Sequence, residues 1–137
     1  YFADDSSVAR KQIERTLDAL GVRYVGSVNG RQAWTELEKV ASYASSSGRK
    51  VKDLVALILT DVEMPEMDGY ILTKRIKTDP RFEGVPVIMH SSLSGMSNQQ
   101  LGRSVGVDEY VAKFEPQRLA EVLRRLITQH AGADKAA

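Results

Sequence analysis

The chain is expected to fold as one α/β domain, a doubly wound five-stranded parallel sheet with five flanking helices. Three observations carry this expectation. Stretches of helical hydrophobic spacing alternate with short apolar runs from end to end, the pattern of helices crossing over a parallel sheet. The run Val55 to Thr60 is apolar at almost every position, as in a central strand covered on both faces. At 137 residues, 42% hydrophobic and 27% charged, the chain is large enough to bury one core and too short for a second.

Each element follows in order. Tyr1 to Ala3 is the stub of a first strand, and Ser6 or Ser7 caps a helix whose Ala9, Ile13, Leu17 and Leu20 recur at helical spacing until Gly21. Tyr24 to Ser27 is a short second strand. Asn29-Gly30 turns into a second helix with Ala33, Trp34, Leu37, Val40, Ala41 and Ala44 on one face, which Ser45 to Gly48 ends. Residues 45–53 lengthen the connection into the third strand, Val55 to Thr60, which delivers the chain to Asp61. Leu72, Thr73 and Ile76 mark a third helix that Asp79-Pro80 terminates. Pro86 to His90 is a fourth strand, a weaker helix covers Gln99 to Val105, and Glu109 to Ala112 is a fifth strand. Leu119, Val122, Leu123, Leu126 and Ile127 give the last helix its stripe, with a domain over 1–130 and a flexible tail over 131–137. The commonest order for such a sheet is flavodoxin-like, 2-1-3-4-5.

Composition removes several function classes. Lys and Arg total 19 against 18 Asp and Glu, so no global field favours nucleic acid. The absence of Cys removes disulfides, thiolate metal sites and cysteine nucleophiles, and suits a cytoplasmic location. An apolar run near the roughly 20 residues of a membrane span is missing, and the first residues lack signal-peptide character. The chain starts with Tyr and reaches Asp4-Asp5 after three residues, so a fragment of a longer polypeptide is expected.

In doubly wound sheets function collects at the carboxyl ends of the strands. Asp4 and Asp5 end the first strand, Asp61 the third, Ser91 the fourth and Lys113 the fifth. Three carboxylates converging there would repel one another and raise their own pKa values without a cation between them. Oxygen-only ligands fit Mg2+ better than zinc, and Mg2+ keeps open positions for a phosphoryl donor. An aspartate can attack that donor, with Mg2+, Lys113 and the Ser91 hydroxyl neutralising the equatorial oxygens.

These residues resemble the receiver domains of two-component response regulators. The likeness covers the whole chain and rests on Ala3-Asp4-Asp5-Ser6, on Asp61-Val62-Glu63-Met64-Pro65-Glu66-Met67-Asp68-Gly69, on Ser91 after Val87-Ile88-Met89-His90, and on Tyr110-Val111-Ala112-Lys113-Phe114-Glu115-Pro116. The resemblance implies Asp61 as phosphoacceptor, Asp5 as direct metal ligand with Asp4 acting through water, and the Glu63 backbone carbonyl as a further ligand. Lys113 would contact the phosphoryl group. Ser91 would swing toward it, and Tyr110 would follow inward as a rotamer switch that reshapes an output face by strands four and five. Asp79-Pro80-Arg81 and Met89-His90-Ser91-Ser92-Leu93-Ser94-Gly95 look like the receiver half of CheV-type chemotaxis coupling proteins. That likeness implies a CheA-type histidine kinase as donor and a preceding CheW-like domain joining the chemoreceptor complex.

Taken singly, the same residues have plainer readings. Asp4-Asp5 could be a solvated pair ahead of a helix, Lys113 a surface lysine, Ser91 a backbone hydrogen-bonder and Tyr110 ordinary packing. Strand alternation turns His90 away from Ser91 into packing. Trp34 belongs to an apolar stripe, His130 to the tail, and Arg49, Lys50 and Lys52 to a solvated loop. Two rival functions remain: a haloacid-dehalogenase-like phosphatase, disfavoured because its acidic pair comes late in the chain, and an interaction module that has lost phosphorylation.

Overall fold

The computed structural model describes residues 1–92, 96–113 and 115–136, with the side chains of Met96 and residues 132–136 left aside. Its five parallel strands are β1 (Phe2–Ala3), β2 (Gly26–Ser27), β3 (Ile58–Thr60), β4 (Val87–Ser91) and β5 (Glu109–Ala112), in the order β2-β1-β3-β4-β5. This is the expected flavodoxin-like sheet. Among the described residues the helices number six rather than five: α1 (Ser7–Ala19), α2 (Gly30–Ser46), α3 (Val51–Leu54), α4 (Gly69–Thr78), α5 (Met96–Ser104) and α6 (Pro116–Ala136). A 3-10 turn at Pro80–Phe82 follows α4. Leu93, Ser94, Gly95, Phe114 and Ala137, which belong to the quoted motifs and the expected tail, lie outside the described residues.

Local chemistry sets where the helices begin. The Ser6 side chain accepts from the Ala9 N–H at 3.2 Å, Asn29 from Gln32 at 2.8 Å, and Asp68 from Ile71 at 2.9 Å. Each such cap contributes roughly 1 kcal/mol. Gly21, at φ +71°, ends α1 in the left-handed conformation that glycine adopts without penalty.

The two faces of the sheet bury separate apolar layers. Phe2, Leu59, Ile88 and Val111 pack with Ile13 and Leu17 of α1 and Leu119, Val122 and Leu123 of α6. Ala3, Ile58 and Val87 pack on the other face with Leu37 and Ala41 of α2 and Leu72 and Ile76 of α4. Alternate residues of each strand therefore point to opposite layers. Trp34 joins the second layer, stacked at a tilt on Phe82 with ring centroids 5.6 Å apart, as its apolar stripe implied.

Several boundaries differ from the sequence reading, and three of the differences are informative. Val51–Leu54 forms a turn of helix inside the expected 45–53 connection because Val51 is buried and anchors it. The helical backbone of α6 continues through Ala136, past the expected end of the last helix, in a segment rich in alanine. Val55 and Leu57 are buried but unladdered, so β3 is shorter than its apolar run.

Candidate functional site

The sheet order brings the ends of β1, β3 and β5 to one edge, and the side chains expected there meet. Asp61 follows directly on β3, and its N–H donates to the Ala3 carbonyl at 2.9 Å, so its backbone continues the ladder beside β1. Its own carbonyl accepts the Thr60 hydroxyl at 2.9 Å. Its carboxylate Oδ1 accepts the Val62 N–H at 2.8 Å, and Oδ2 lies 3.3 Å from Lys113 Nζ. The residue is only 6% exposed.

Asp4 is fully buried. Its Oδ1 accepts the Ser6 N–H at 2.9 Å, while Oδ2 lies 2.8 Å from Lys113 Nζ. That second contact is a buried ion pair, and Oδ2 has no other partner among the described residues. Asp5, by contrast, is exposed, at the wall of an open cleft of about 510 Å3 that Glu63, Asp68 and Tyr70 also line. Carboxylate oxygens of Asp4, Asp5 and Asp61 all lie within 4.8 Å of one another. A buried carboxylate, an exposed carboxylate and a third carboxylate at that spacing form an oxygen donor set suited to a hard divalent cation.

The charges show the strain that such a cation would relieve. Burial, and then the negative charge of Asp4, raise the Asp61 pKa to about 6 against the opposing pull of Lys113 and the Val62 N–H. Burial alone would lower the Lys113 pKa, but contact with Asp4 and with Asp61 outweighs it and leaves the ammonium raised. Lys113 is thus a held cation shared between two carboxylates.

Ser91 and Tyr110 are placed by the ladder. The Ser91 carbonyl accepts the Lys113 N–H at 2.8 Å, which keeps the end of β4 level with the lysine. Tyr110, half-buried on β5 opposite Met89, lies against Gly102 of α5, where an added Cβ would be 3.3 Å from its ring. His90 turns to the other layer, 4% exposed, with Nδ1 lacking a hydrogen-bond partner. Burial, then the Lys113 charge, lower its pKa to about 4 despite the opposing charge of Asp4.

Several contacts at the site were not read from the sequence, some of them made by residues it had named for other reasons. The Arg10 guanidinium donates to the Asp4 carbonyl at 2.8 Å, six residues away, a spacing that carries no motif. Gly69 packs on the Asp61 carbonyl so closely that a Cβ would be 2.0 Å from its oxygen, and Gly30 packs likewise on the Met67 carbonyl at 2.2 Å. These glycines clamp the 62–68 loop from below and behind. Glu66 in that loop takes φ +67°, the one non-glycine left-handed residue among those described.

Comparison with known proteins gives the family and the fold. The response regulator receiver domain family matches residues 1–124. The chain is 32% identical over 125 residues to chemotaxis protein CheV1 of Helicobacter pylori, covering 91% of this chain and 36% of CheV1. It is 34% identical over 122 residues to CheY1 of the same species, covering 88% of this chain and 89% of CheY1. The solved structure of CheY4 of Vibrio cholerae superposes with a TM-score of 0.75 at 25% identity, over 91% of this chain and 94% of CheY4. This chain therefore spans little more than a third of CheV1 but nearly all of CheY1. A family match that runs from β1 into α6, on a sheet of the same order, makes the chain a member of the response regulator receiver domain family.

Proposed function

We propose that Asp61 accepts a phosphoryl group from the phosphohistidine of a CheA-type sensor kinase and that the modification switches partner binding in chemotaxis signalling. An Asp61 carboxylate oxygen bonds to phosphorus as the P–N bond breaks, and the electron pair leaves with the imidazole. Mg2+ held by Asp5, Asp61 and the Glu63 backbone carbonyl, with Asp4 acting through water, would supply neutralising charge at the phosphoryl oxygens.

The protein's own groups account for the rest. The Val62 N–H fixes one Asp61 oxygen at 2.8 Å and leaves the other toward Lys113. Lys113 exchanges its Asp61 contact for a phosphoryl oxygen, remaining anchored on Asp4. Ser91 supplies a hydroxyl from the neighbouring strand end, and Tyr110 turns inward against α5 when that hydroxyl moves. The domain is a phosphoacceptor whose chemistry is confined to its own aspartate, not an enzyme acting on a separate small molecule. Likeness to CheV proteins supports a cytoplasmic role at the chemoreceptor complex, with a CheW-like domain in the same polypeptide as the tether.

The observation that carries this reading is the convergence of three carboxylates and one ammonium at the carboxyl edge of the sheet. Intact mass of the wild type and of Asp61→Asn after acetyl phosphate or beryllofluoride treatment, with Mg2+ or with EDTA, tests it. A metal-dependent adduct on the wild type alone is the expected result. An equal adduct on Asp61→Asn, or none on folded wild type with Mg2+, overturns the assignment and favours the phosphorylation-independent module.

A further inference from the structure

The net charge of +1 conceals an uneven distribution. Asp4, Asp5, Asp61, Glu63 and Asp68 crowd the carboxyl edge of the sheet, whereas the amino edge carries Arg49, Lys50 and Lys52 beside a groove of about 470 Å3. The groove lies between the end of α2, the 47–52 segment and the turn after Pro80. Ala41, Ala44 and Val51, all buried residues, form its floor.

This surface is built rather than loose. Gly48 takes φ +71° and the Arg49 N–H donates to the Ala44 carbonyl at 2.8 Å, so the chain leaves α2 in a closed helix-ending turn. The Lys50 N–H donates to Asp53 Oδ2 at 3.2 Å, which fixes the start of α3. The Lys52 carbonyl accepts His130 Nε2 at 2.8 Å, and its aliphatic stem lies on Gly84. A segment expected to be a solvated loop, ending in a histidine assigned to a plain tail, is therefore held by contacts from α2, α6 and the Gly84 turn.

The cations it displays have no ion-pair partner among the described residues. Arg81 on the opposite rim is already neutralised by Asp79 at 2.7 Å and Glu38 at 3.5 Å. Arg49, Lys50 and Lys52 are exposed, and the carboxylates near them, Asp53 beside the segment and Glu83 on the opposite rim, form no ion pair with them among the described residues. We infer that this groove is a docking surface for an acidic peptide segment of a protein partner, engaged at the edge opposite Asp61. Charge complementarity identifies the occupant: three close cations match a short run of carboxylates laid along the groove. Nucleic acid fits less well, because the lining offers no aromatic ring for a base to stack on, and the concavity does not suit a flat membrane surface.

Fluorescence anisotropy of the full chain with a labelled ten-residue Glu/Leu peptide tests the inference, alongside a Lys/Leu peptide, a single-stranded oligonucleotide and phosphatidylserine-containing vesicles. Saturable binding of the acidic peptide should weaken at least tenfold in Arg49→Ser/Lys50→Ser/Lys52→Ser. It should be unchanged in Lys11→Ser/Arg15→Ser, which removes two exposed cations of α1, and should tighten in Glu83→Gln. The gain in Glu83→Gln keeps the test decisive even if the triple variant folds poorly. Absent binding, equal loss in the α1 control, no gain in Glu83→Gln, or stronger binding of oligonucleotide or vesicles overturns it.

Discussion

Replacing Asp61 by Asn removes a carboxylate that folding places in an unfavourable setting. The folded pKa of about 6 against an ordinary 3.8 is roughly two units, and at 1.36 kcal/mol per unit the ionised group costs the fold about 3 kcal/mol. Its raised pKa means that its stabilising contribution is fully present below 3.8 and is lost as pH rises through about 6. Asn keeps an oxygen for the Val62 N–H, and Lys113 keeps Asp4. Metal-free Asp61→Asn should therefore be ~2 to 3 kcal/mol more stable than wild type at pH 7.5, an advantage that disappears near pH 4. Urea unfolding in EDTA at both pH values measures it. Added Mg2+ should narrow the gap by stabilising wild type alone. A variant no more stable at pH 7.5, or equally advantaged at pH 4, refutes the reasoning.

The remaining expectations concern neighbouring groups. His90, with its pKa lowered to about 4 by burial, contributes stability present above 6.5 and lost as pH falls through about 4; His90→Leu should flatten the acid limb of the urea midpoint against pH. Gly69→Ala forces a Cβ onto the Asp61 carbonyl, 2.0 Å away, and should cost ~1 to 3 kcal/mol by urea unfolding while slowing labelling by acetyl phosphate. Lys113→Met removes the nearest opposing charge, so the Asp61 carboxyl should titrate above about 6 in a carbon-detected NMR titration; an unchanged titration would show that the lysine does not hold the carboxylate down.

Asp61, Lys113 and Asp5 were legible in the sequence because each ends an apolar run, and in a parallel sheet the ends of such runs share an edge. Helix starts were legible where Ser6 and Asn29 advertise a side-chain acceptor, whereas the Asp68 cap of α4 was not read. Reading failed where hydrophobicity reports burial but not pairing: Val55 and Leu57 are buried without joining the ladder. It failed again at Val51–Leu54, where a single anchoring Val is flanked by Lys50 and Lys52 and no period can be seen. The Arg10 contact to the Asp4 carbonyl depends on the turn between β1 and α1, which no residue type announces.

Gly30 draws a line between the parts of α2 that can drift and the part that cannot. Its backbone presses on the Met67 carbonyl, so the amino end of α2 is a fixed stop behind the loop that carries Glu63. The other end runs out into an exposed turn at residues 47–50, at the amino edge of the sheet and away from Asp61. Insertions and deletions can thus accumulate at the far end of this helix without moving Asp61, while even one added methyl at Gly30 would displace the loop. A change in the segment that displays Arg49, Lys50 and Lys52 therefore need not reach the loop that carries Glu63.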